Sequence, residues 1–204
     1  LFRSTEHSDY MEDLGASYLN LSHELSKIKN VVYLQDNVVV IDGVAILGTN
    51  GWWGYDFDST INPEESAAWH QEDQNLSDSA ILSIRRMSST DANYMISSVK
   101  RLQKHKDVKK IIMATHTVPR PDLIAHDIDL NGSLKYNIFG NRYMSHALVA
   151  DLEKKIHTWC FGHYHGSVDQ VRDGIRYVNN CRGRAGNKYS NWAYHPSRIV
   201  IDFN

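Results

Sequence analysis

The sequence predicts an α/β fold, a layered β-sandwich flanked by helices, and three observations support that prediction. Apolar runs rich in β-branched residues alternate along the chain with stretches of helical periodicity. The runs Lys110–Thr115 and Thr158–Phe161 are almost continuously apolar, as strands covered on both faces are. Two Asp-Gly pairs lie beside short apolar runs, a strong signal for tight hairpins. Strands and helices mixed in this way are typical of layered α/β domains.

Composition favours one globular domain over residues 1–204, because no repeat, low-complexity tract or flexible linker divides them. The 22 Lys and Arg against 24 Asp and Glu give a net charge of −2. That balance provides no general attraction to nucleic acid, although a local basic patch is still compatible with it. No apolar run reaches the roughly 20 residues that cross a bilayer and no leader is recognised, so a cytoplasmic protein without a membrane partner is expected. Cys160 and Cys181 are expected to be reduced.

Hairpins are predicted at two places. The runs Val38–Ile41 and Val44–Leu47 flank Asp42-Gly43, and a second hairpin is centred on Asp173-Gly174. A last strand is predicted over Arg198–Ile201. The turn pairs suit two-residue loops, because Asp and Gly tolerate the positive φ values that such loops require.

Helices are predicted from periodicity and from capping residues. Apolar positions recur every three or four residues from Asp9 to Lys29, which indicates a helix with one buried face. Asn62-Pro63 is typical of a helix start, and Thr90 is expected to cap a further helix. Another helix is predicted over Asn141–Lys155 with Leu148 and Leu152 facing inward.

Histidines follow two of the predicted strands. His116 comes directly after Thr115, and His163 and His165 follow the strand that ends at Phe161. The carboxyl ends of neighbouring strands open onto one crevice, so His116 and His163 are expected to meet. Alternate residues of an extended segment point the same way, so His165 is expected to face the same space. Imidazole is the commonest metal ligand, and the pattern therefore predicts a metal site.

Each histidine taken alone is more often an ordinary core or surface residue than a ligand. The joint order is more specific: an apolar strand, Thr115-His116-x-x-Pro119, a helix, an apolar strand and Gly162-His163-x-His165. This order resembles the last two motifs of the calcineurin-like metallophosphoesterases. The segment from Gly48 to Trp52 and the run Asn180-Cys181-Arg182-Gly183 are similar to further family segments, with Cys181 where Pro is usual. The resemblance extends from about Val31 to Phe203.

The resemblance implies that His116 and His163 bind one divalent metal ion, that His165 binds a second, and that all three act in catalysis. The two ions would be Mn, Fe, Zn or Mg. The family's other ligands lie in an Asp-x-His, a Gly-Asp-x-x-Asp and a Gly-Asn-His-Glu motif, and none of them occurs in this sequence. The chain is therefore expected to be the C-terminal part of such a domain, with the N-terminal βαβ portion missing, and to be inactive without that N-terminal half.

The implied activity is hydrolysis of phosphate mono- or diesters, with a hydroxide that bridges two metal ions about 3.5–4 Å apart as the nucleophile. Asn50, Trp52 and Arg182 are the predicted contacts to the phosphate-ester substrate, and Arg184 is a weaker candidate. The aromatic residues from Trp52 to Phe57 have two interpretations of similar weight. They either stack on a base or aromatic leaving group, or cover the core beneath a loop.

Two other classes of function compete with this prediction. The first is a non-catalytic scaffold with the same fold and a degenerate metal centre, against which the intact histidines argue. The second is a nuclease of the same superfamily, which the aromatic loop favours weakly and the net charge disfavours.

Overall fold

The computed structural model describes residues 14–127, 129, 132–183 and 194–195. In that part of the chain, the strands form one mixed sheet and α-helices flank it, so the predicted α/β class is confirmed. The helices are α1 (Leu14–Ser26), α2 (Pro63–Gln74), α3 (Asp78–Leu102) and α4 (His146–Ala150), and the strands are β1 (Asn37–Ile41), β2 (Val44–Thr49), β3 (Lys110–Thr115), β4 (Ile156–Phe161), β5 (Ser167–Arg172) and β6 (Ile175–Asn180).

The sheet has six strands in the order β1-β2-β3-β4-β6-β5. The four central strands β2, β3, β4 and β6 run parallel, and β1 and β5 join the two edges in antiparallel orientation. All strands of the described residues belong to this sheet, so the second layer of the predicted sandwich is not among them. Because the central strands are parallel, their carboxyl ends all lie at one edge of the sheet, which is called the carboxyl edge below.

Both predicted hairpins are confirmed. Asp42 and Gly43 have φ values of 48° and 80°, and Asp173 and Gly174 have values of 53° and 80°. Two consecutive residues with positive φ form the turn whose twist matches the flanking strands. The strand predicted over Arg198–Ile201 lies outside the described residues.

Helix α2 begins as predicted, because the Asn62 side chain accepts from the Glu64 amide at 2.9 Å and Pro63 occupies the first turn. The expected cap at Thr90 is wrong. Thr90 lies in the middle of α3, where its hydroxyl donates to the Arg86 carbonyl at 3.0 Å. Helix α3 is instead capped by Ser77, whose hydroxyl accepts from the Ala80 amide at 3.2 Å.

The helix predicted over Asn141–Lys155 is wrong over most of its length. A 3₁₀ turn at Arg142–Ser145 leads into the short helix α4, which ends at Ala150. The carboxylate of Asp151 then accepts the Lys155 amide at 3.0 Å and the Ile156 amide at 2.7 Å. These bonds offer the backbone an alternative to the helix, and they start β4. Leu152, expected to face inward, is 80% exposed as a result.

The core lies between α3 and one face of the sheet. Met95 and Val99 of α3 pack in one apolar cluster with Leu47 of β2, Met113 of β3 and Trp159 of β4, and all five are fully buried. Helix α1 contributes less, because Leu21 and Leu25 on its predicted apolar stripe are only half-buried. Ile28, the last position of that stripe, lies beyond the end of α1 and is 52% exposed. Residues 9–13 of that predicted helix lie outside the described part of the chain.

Two further expectations concern thiols and membranes. Cys160 and Cys181 are free cysteines, as expected. None of the helices in the described residues combines the length and the apolar character needed to span a membrane.

The corrected start of α3 leads to a prediction. Replacing Ser77 with Ala should lower the free energy of unfolding by about 1 kcal/mol, because the Ala80 amide loses its acceptor. The matched change Thr90→Ala should be neutral or stabilising by a few tenths of a kcal/mol, since Ala is the better residue inside a helix. Urea denaturation of both variants would measure the difference, and equal losses would contradict the assigned cap.

Candidate functional site

The segments that leave β2, β3 and β4 remain hydrogen-bonded to one another beyond the strands. The His116 amide donates to the Asn50 carbonyl at 2.9 Å, and the Gly162 amide donates to the His116 carbonyl at 2.9 Å. This extended ladder holds Asn50, His116 and His163 side by side at the carboxyl edge. The sheet register thus brings together residues that are far apart in the sequence.

The imidazoles of His116 and His163 are in contact, as predicted. Nε2 of His116 lies 3.1 Å from Nδ1 of His163, and the ring centroids are 4.9 Å apart. Both side chains are half-buried. Two ring nitrogens therefore converge on one place at the carboxyl edge, and the pair is called the imidazole pair below.

Aromatic rings surround the His163 imidazole. Trp53 stacks on it with an interplanar angle of 16° and a centroid distance of 5.5 Å, and the Phe139 ring lies at 5.2 Å. Burial lowers the pKa of His163 well below its ordinary value, and His116 and His165 lower it further. A hydrogen bond to the Ile138 backbone raises the pKa slightly in return, as donation to a carbonyl does. His163 is consequently neutral near neutral pH, the protonation state in which imidazole binds a metal.

The His163 backbone is strained. Its φ is 62°, in the left-handed region that non-glycine residues rarely adopt, and the Tyr164 amide donates to the Gly162 carbonyl at 2.7 Å across a tight turn. The expected extended geometry from His163 to His165 is therefore wrong. His165 still lies close enough for its charge to affect the His163 pKa. Such strain costs about 1–3 kcal/mol and is concentrated at functional sites in known structures.

The imidazole pair fits part of a metal site. Among the residues that the structure describes, no three His, Cys, Asp or Glu side chains are grouped so that they could hold a metal ion. The pair nevertheless supplies two nitrogen donors, and a backbone hydrogen bond of the kind found behind metal-binding histidines orients one of the rings. The ligand roles of His116, His163 and His165 remain predictions.

The loop after β2 is held by a buried carboxylate that the sequence analysis missed. Oδ2 of Asp91 accepts the amides of Gly51 at 2.7 Å and Trp52 at 3.1 Å. Gln35 completes the network, because its Nε2 donates to Thr49 at 2.8 Å and to Asp91 at 3.3 Å while its Oε1 accepts the Asn50 amide at 2.8 Å. The loop that carries Asn50 and Trp53 is therefore fixed from α3.

A signal for Asp91 is present in the sequence. It lies on the apolar stripe of α3, seven residues after Ile84 and four before Met95, both of which are fully buried. A carboxylate on such a stripe is buried against partners rather than solvated. Burial raises the pKa of Asp91 from 3.8 to about 6, although hydrogen bonds from Thr49, Trp52 and Gly51 act in the opposite direction.

Of the predicted substrate contacts, Trp52 is in the core. It has 0% exposure, and its Nε1 donates to the Tyr18 hydroxyl at 2.7 Å, so it presents no surface to a substrate. Trp53, Tyr55 and Phe57 are at most 4% exposed. The structure therefore supports the interpretation in which the aromatic residues of this loop cover the core, and not the one in which they stack on a ligand.

Asn50 and Arg182 both lie at the carboxyl edge, and their roles as substrate contacts remain predictions. Asn50 is half-buried beside His116, and its Nδ2 has no hydrogen-bond partner within the described part of the chain. Arg182 is exposed two residues after β6. Arg184 lies outside the described residues.

A second missed residue, Asn179, joins two of the segments at this edge. Its Nδ2 donates to the Tyr164 carbonyl at 2.6 Å, and its Oδ1 accepts the Cys181 amide at 2.9 Å. Asn179 is fully buried, so it ties the turn that follows His163 to the segment that leads to Arg182.

Comparison with models of protein families, with curated proteins and with solved structures found no match for this chain. The resemblance of its motifs to the metallophosphoesterases therefore remains a prediction.

The buried Asp91 leads to a prediction about pH. The folded protein binds more protons than the unfolded chain between about pH 4 and pH 6, because the pKa rises from 3.8 to about 6 on folding. The contribution of Asp91 to the free energy of unfolding should therefore fall as the pH rises through that window, by on the order of 3 kcal/mol. Asp91→Asn cannot titrate, so the stability of wild type relative to this variant should decrease across the same window.

Urea denaturation at several pH values would measure this effect, with Asp107→Asn at an exposed position as the control. The control should keep the wild-type pH profile. If the free energies of unfolding of wild type and Asp91→Asn changed in parallel with pH, the raised pKa of Asp91 would be contradicted.

Proposed function

We propose that this chain is the C-terminal part of a calcineurin-like metallophosphoesterase domain, and that the complete domain hydrolyses phosphate esters at a centre of two divalent metal ions. The observation that carries the proposal is the contact between Nε2 of His116 and Nδ1 of His163. Two ring nitrogens that meet at the carboxyl ends of parallel strands, one of them on the His163 ring that burial keeps neutral, suit a metal centre in an α/β domain.

The layered fold of that family is part of the proposal. The described sheet would form one layer, and an N-terminal βαβ portion would supply the remaining ligands and cover surface that is now open. Val40 and Ile41 on the edge strand β1 support this, because they are 49% and 50% exposed although they are apolar.

Within the proposed site, His116 and His163 would each provide one nitrogen donor to the same ion, and His165 would bind the second ion. Trp53, Phe139 and the Ile138 backbone would hold the His163 ring in place. The bound cations, of Mn, Fe, Zn or Mg, would activate water and neutralise charge on the phosphoryl group.

The amide of Asn50 and the guanidinium of Arg182 are the proposed donors to the phosphoryl oxygens. Nδ2 of Asn50 suits this role, because it is a donor beside His116 that has no partner in the described residues. A nuclease is the weaker alternative, since the aromatic residues that favoured base stacking are buried.

The proposal predicts the effect of removing either imidazole. In the full-length protein with Mn²⁺, His163→Ala and His116→Ala should each lower the hydrolysis of chromogenic phosphate mono- and diesters at least about 100-fold, because each removes a ligand. Metal content per protein should fall in the same variants.

His105→Ala is the matched control, because His105 is exposed in the turn before β3, at the opposite edge of the sheet. It should keep wild-type activity and metal content. The proposal fails if His163→Ala retains both, or if the wild type hydrolyses neither class of ester with any of the four metals.

A further inference from the structure

Positive charge is concentrated at the edge of the sheet opposite the imidazole pair. Helix α3 ends at Leu102, and the chain then turns into β3, which begins at Lys110. Strand β4 runs parallel to β3 and begins at Ile156. The end of α3 and the segments before the two strands, residues 100–110 and 151–155, therefore lie together at the amino ends of the strands, and they are called the basic edge below.

Hydrogen bonds join the two segments of the basic edge. Nε2 of the buried Gln103 donates to the Ala150 carbonyl at 2.6 Å, and its Oε1 accepts the Glu153 amide at 3.1 Å. Nζ of Lys155 donates to the His105 carbonyl at 3.0 Å. The two segments consequently form one continuous surface.

The basic edge has a high density of positive charge. Residues 100–110 contain six Lys or Arg and residues 151–155 contain two, against three carboxylates, so the formal charge is 8 − 3 = +5. Asp42 in the neighbouring β1–β2 turn reduces it to 5 − 1 = +4, whereas the whole chain has −2.

This charge is open to solvent. Six of the eight cationic side chains are exposed, and those of Lys110 and Lys155 are half-buried. No carboxylate of the described residues forms an ion pair with any of the eight. A cluster of uncompensated cations on a chain with a negative net charge indicates an anionic partner at this surface.

Exposed apolar side chains lie beside these cations. Leu152 in the basic edge is 80% exposed, and Val149 on the adjoining helix α4 is 77% exposed. They are the two most exposed large apolar side chains of the residues that the structure describes. Nucleic acid phosphates require the cations alone, whereas the surface of a bilayer also takes up apolar side chains. The combination therefore favours an anionic membrane over a nucleic acid.

We propose that the basic edge is a docking surface for anionic phospholipid membranes, where its lysines contact the lipid headgroups and Leu152 and Val149 enter the interface. The expectation of no membrane partner was based on the lack of a spanning segment, and binding at the surface of a bilayer requires none. Each lysine near an anionic bilayer strengthens such binding about fivefold. The imidazole pair at the opposite edge of the sheet would face away from the membrane.

Co-sedimentation of the full-length protein with vesicles would test the charge. The wild type should bind vesicles made of equal amounts of phosphatidylserine and phosphatidylcholine, more weakly as salt is added, and should not bind phosphatidylcholine alone. The double variant Lys104→Glu/Lys106→Glu should bind the mixed vesicles at least about 25-fold more weakly, because two attractive charges are lost.

Lys29→Glu/Arg86→Glu is the matched control, since it changes the net charge equally at exposed positions outside the basic edge. It should keep the wild-type affinity within about threefold, because salt screens distant charges. Urea denaturation should give all these variants the unfolding midpoint of the wild type. The proposal is overturned if the wild type does not bind the mixed vesicles, or if the two double variants bind them equally.

The exposed leucine separates a membrane from a nucleic acid as the partner. Leu152→Ser should weaken vesicle binding at least about fivefold, because an apolar side chain is lost from the interface, while Leu82→Ser, at a 62% exposed position of α3, should not. Equal vesicle binding by these two variants would overturn the proposal. Tighter binding to a DNA duplex than to vesicles, unchanged in Leu152→Ser, would overturn it in favour of a nucleic acid. None of these measurements requires hydrolytic activity.

Discussion

The parallel pairing of β2, β3 and β4 is the constraint on which the candidate site depends. Parallel strands present their carboxyl ends at one edge, and here the hydrogen bonds continue past the strands through the amides of His116 and Gly162. This ladder fixes the backbone positions of the residues that follow each strand. The contact between His116 and His163 is therefore a consequence of sheet register as much as of side-chain chemistry.

Two local features of the site oppose folding, and the rest of the domain compensates for them. Asp91 is buried with a raised pKa so that the amides of Gly51 and Trp52 have an acceptor, and His163 adopts a left-handed φ so that its ring turns between Trp53 and His116. The large apolar cluster beneath α3 supplies the opposing stability. Buried charge and backbone strain near one pair of imidazoles are more typical of a functional site than of a site that only packs.

The sequence predicted those features that depend on local pattern. Asp42-Gly43 and the run of β3 specify a turn and a strand through backbone preference and burial, so both were predicted correctly. The meeting of His116 and His163 was predicted because it follows from strand ends alone. Thr90 was misplaced because α3 begins earlier, at the cap Ser77. Leu152 was misplaced because the Asp151 side chain binds backbone amides and so ends the expected helix.

The missed residues share a physical cause. Gln35, Asp91 and Asn179 act through hydrogen bonds to backbone groups that are distant in the sequence, and no motif marks such contacts. For Asp91, its position on the apolar stripe of α3 indicates burial but does not identify its partners. Trp52 was misjudged because an aromatic residue in a loop has the same sequence pattern whether it faces a ligand or the core. Burial depends on the packing of the whole domain, so the local sequence pattern could not predict it.

A double-mutant cycle on metal affinity tests the central claim most directly. The affinity of the full-length protein for Mn²⁺ would be measured in the wild type, in His116→Ala, in His163→Ala and in the double variant. If both imidazoles bind the same ion, the double variant should lose clearly less binding free energy than the sum of the two single losses. Losses that simply add, or affinity unchanged by either substitution, would contradict a shared metal at the contact of the two rings.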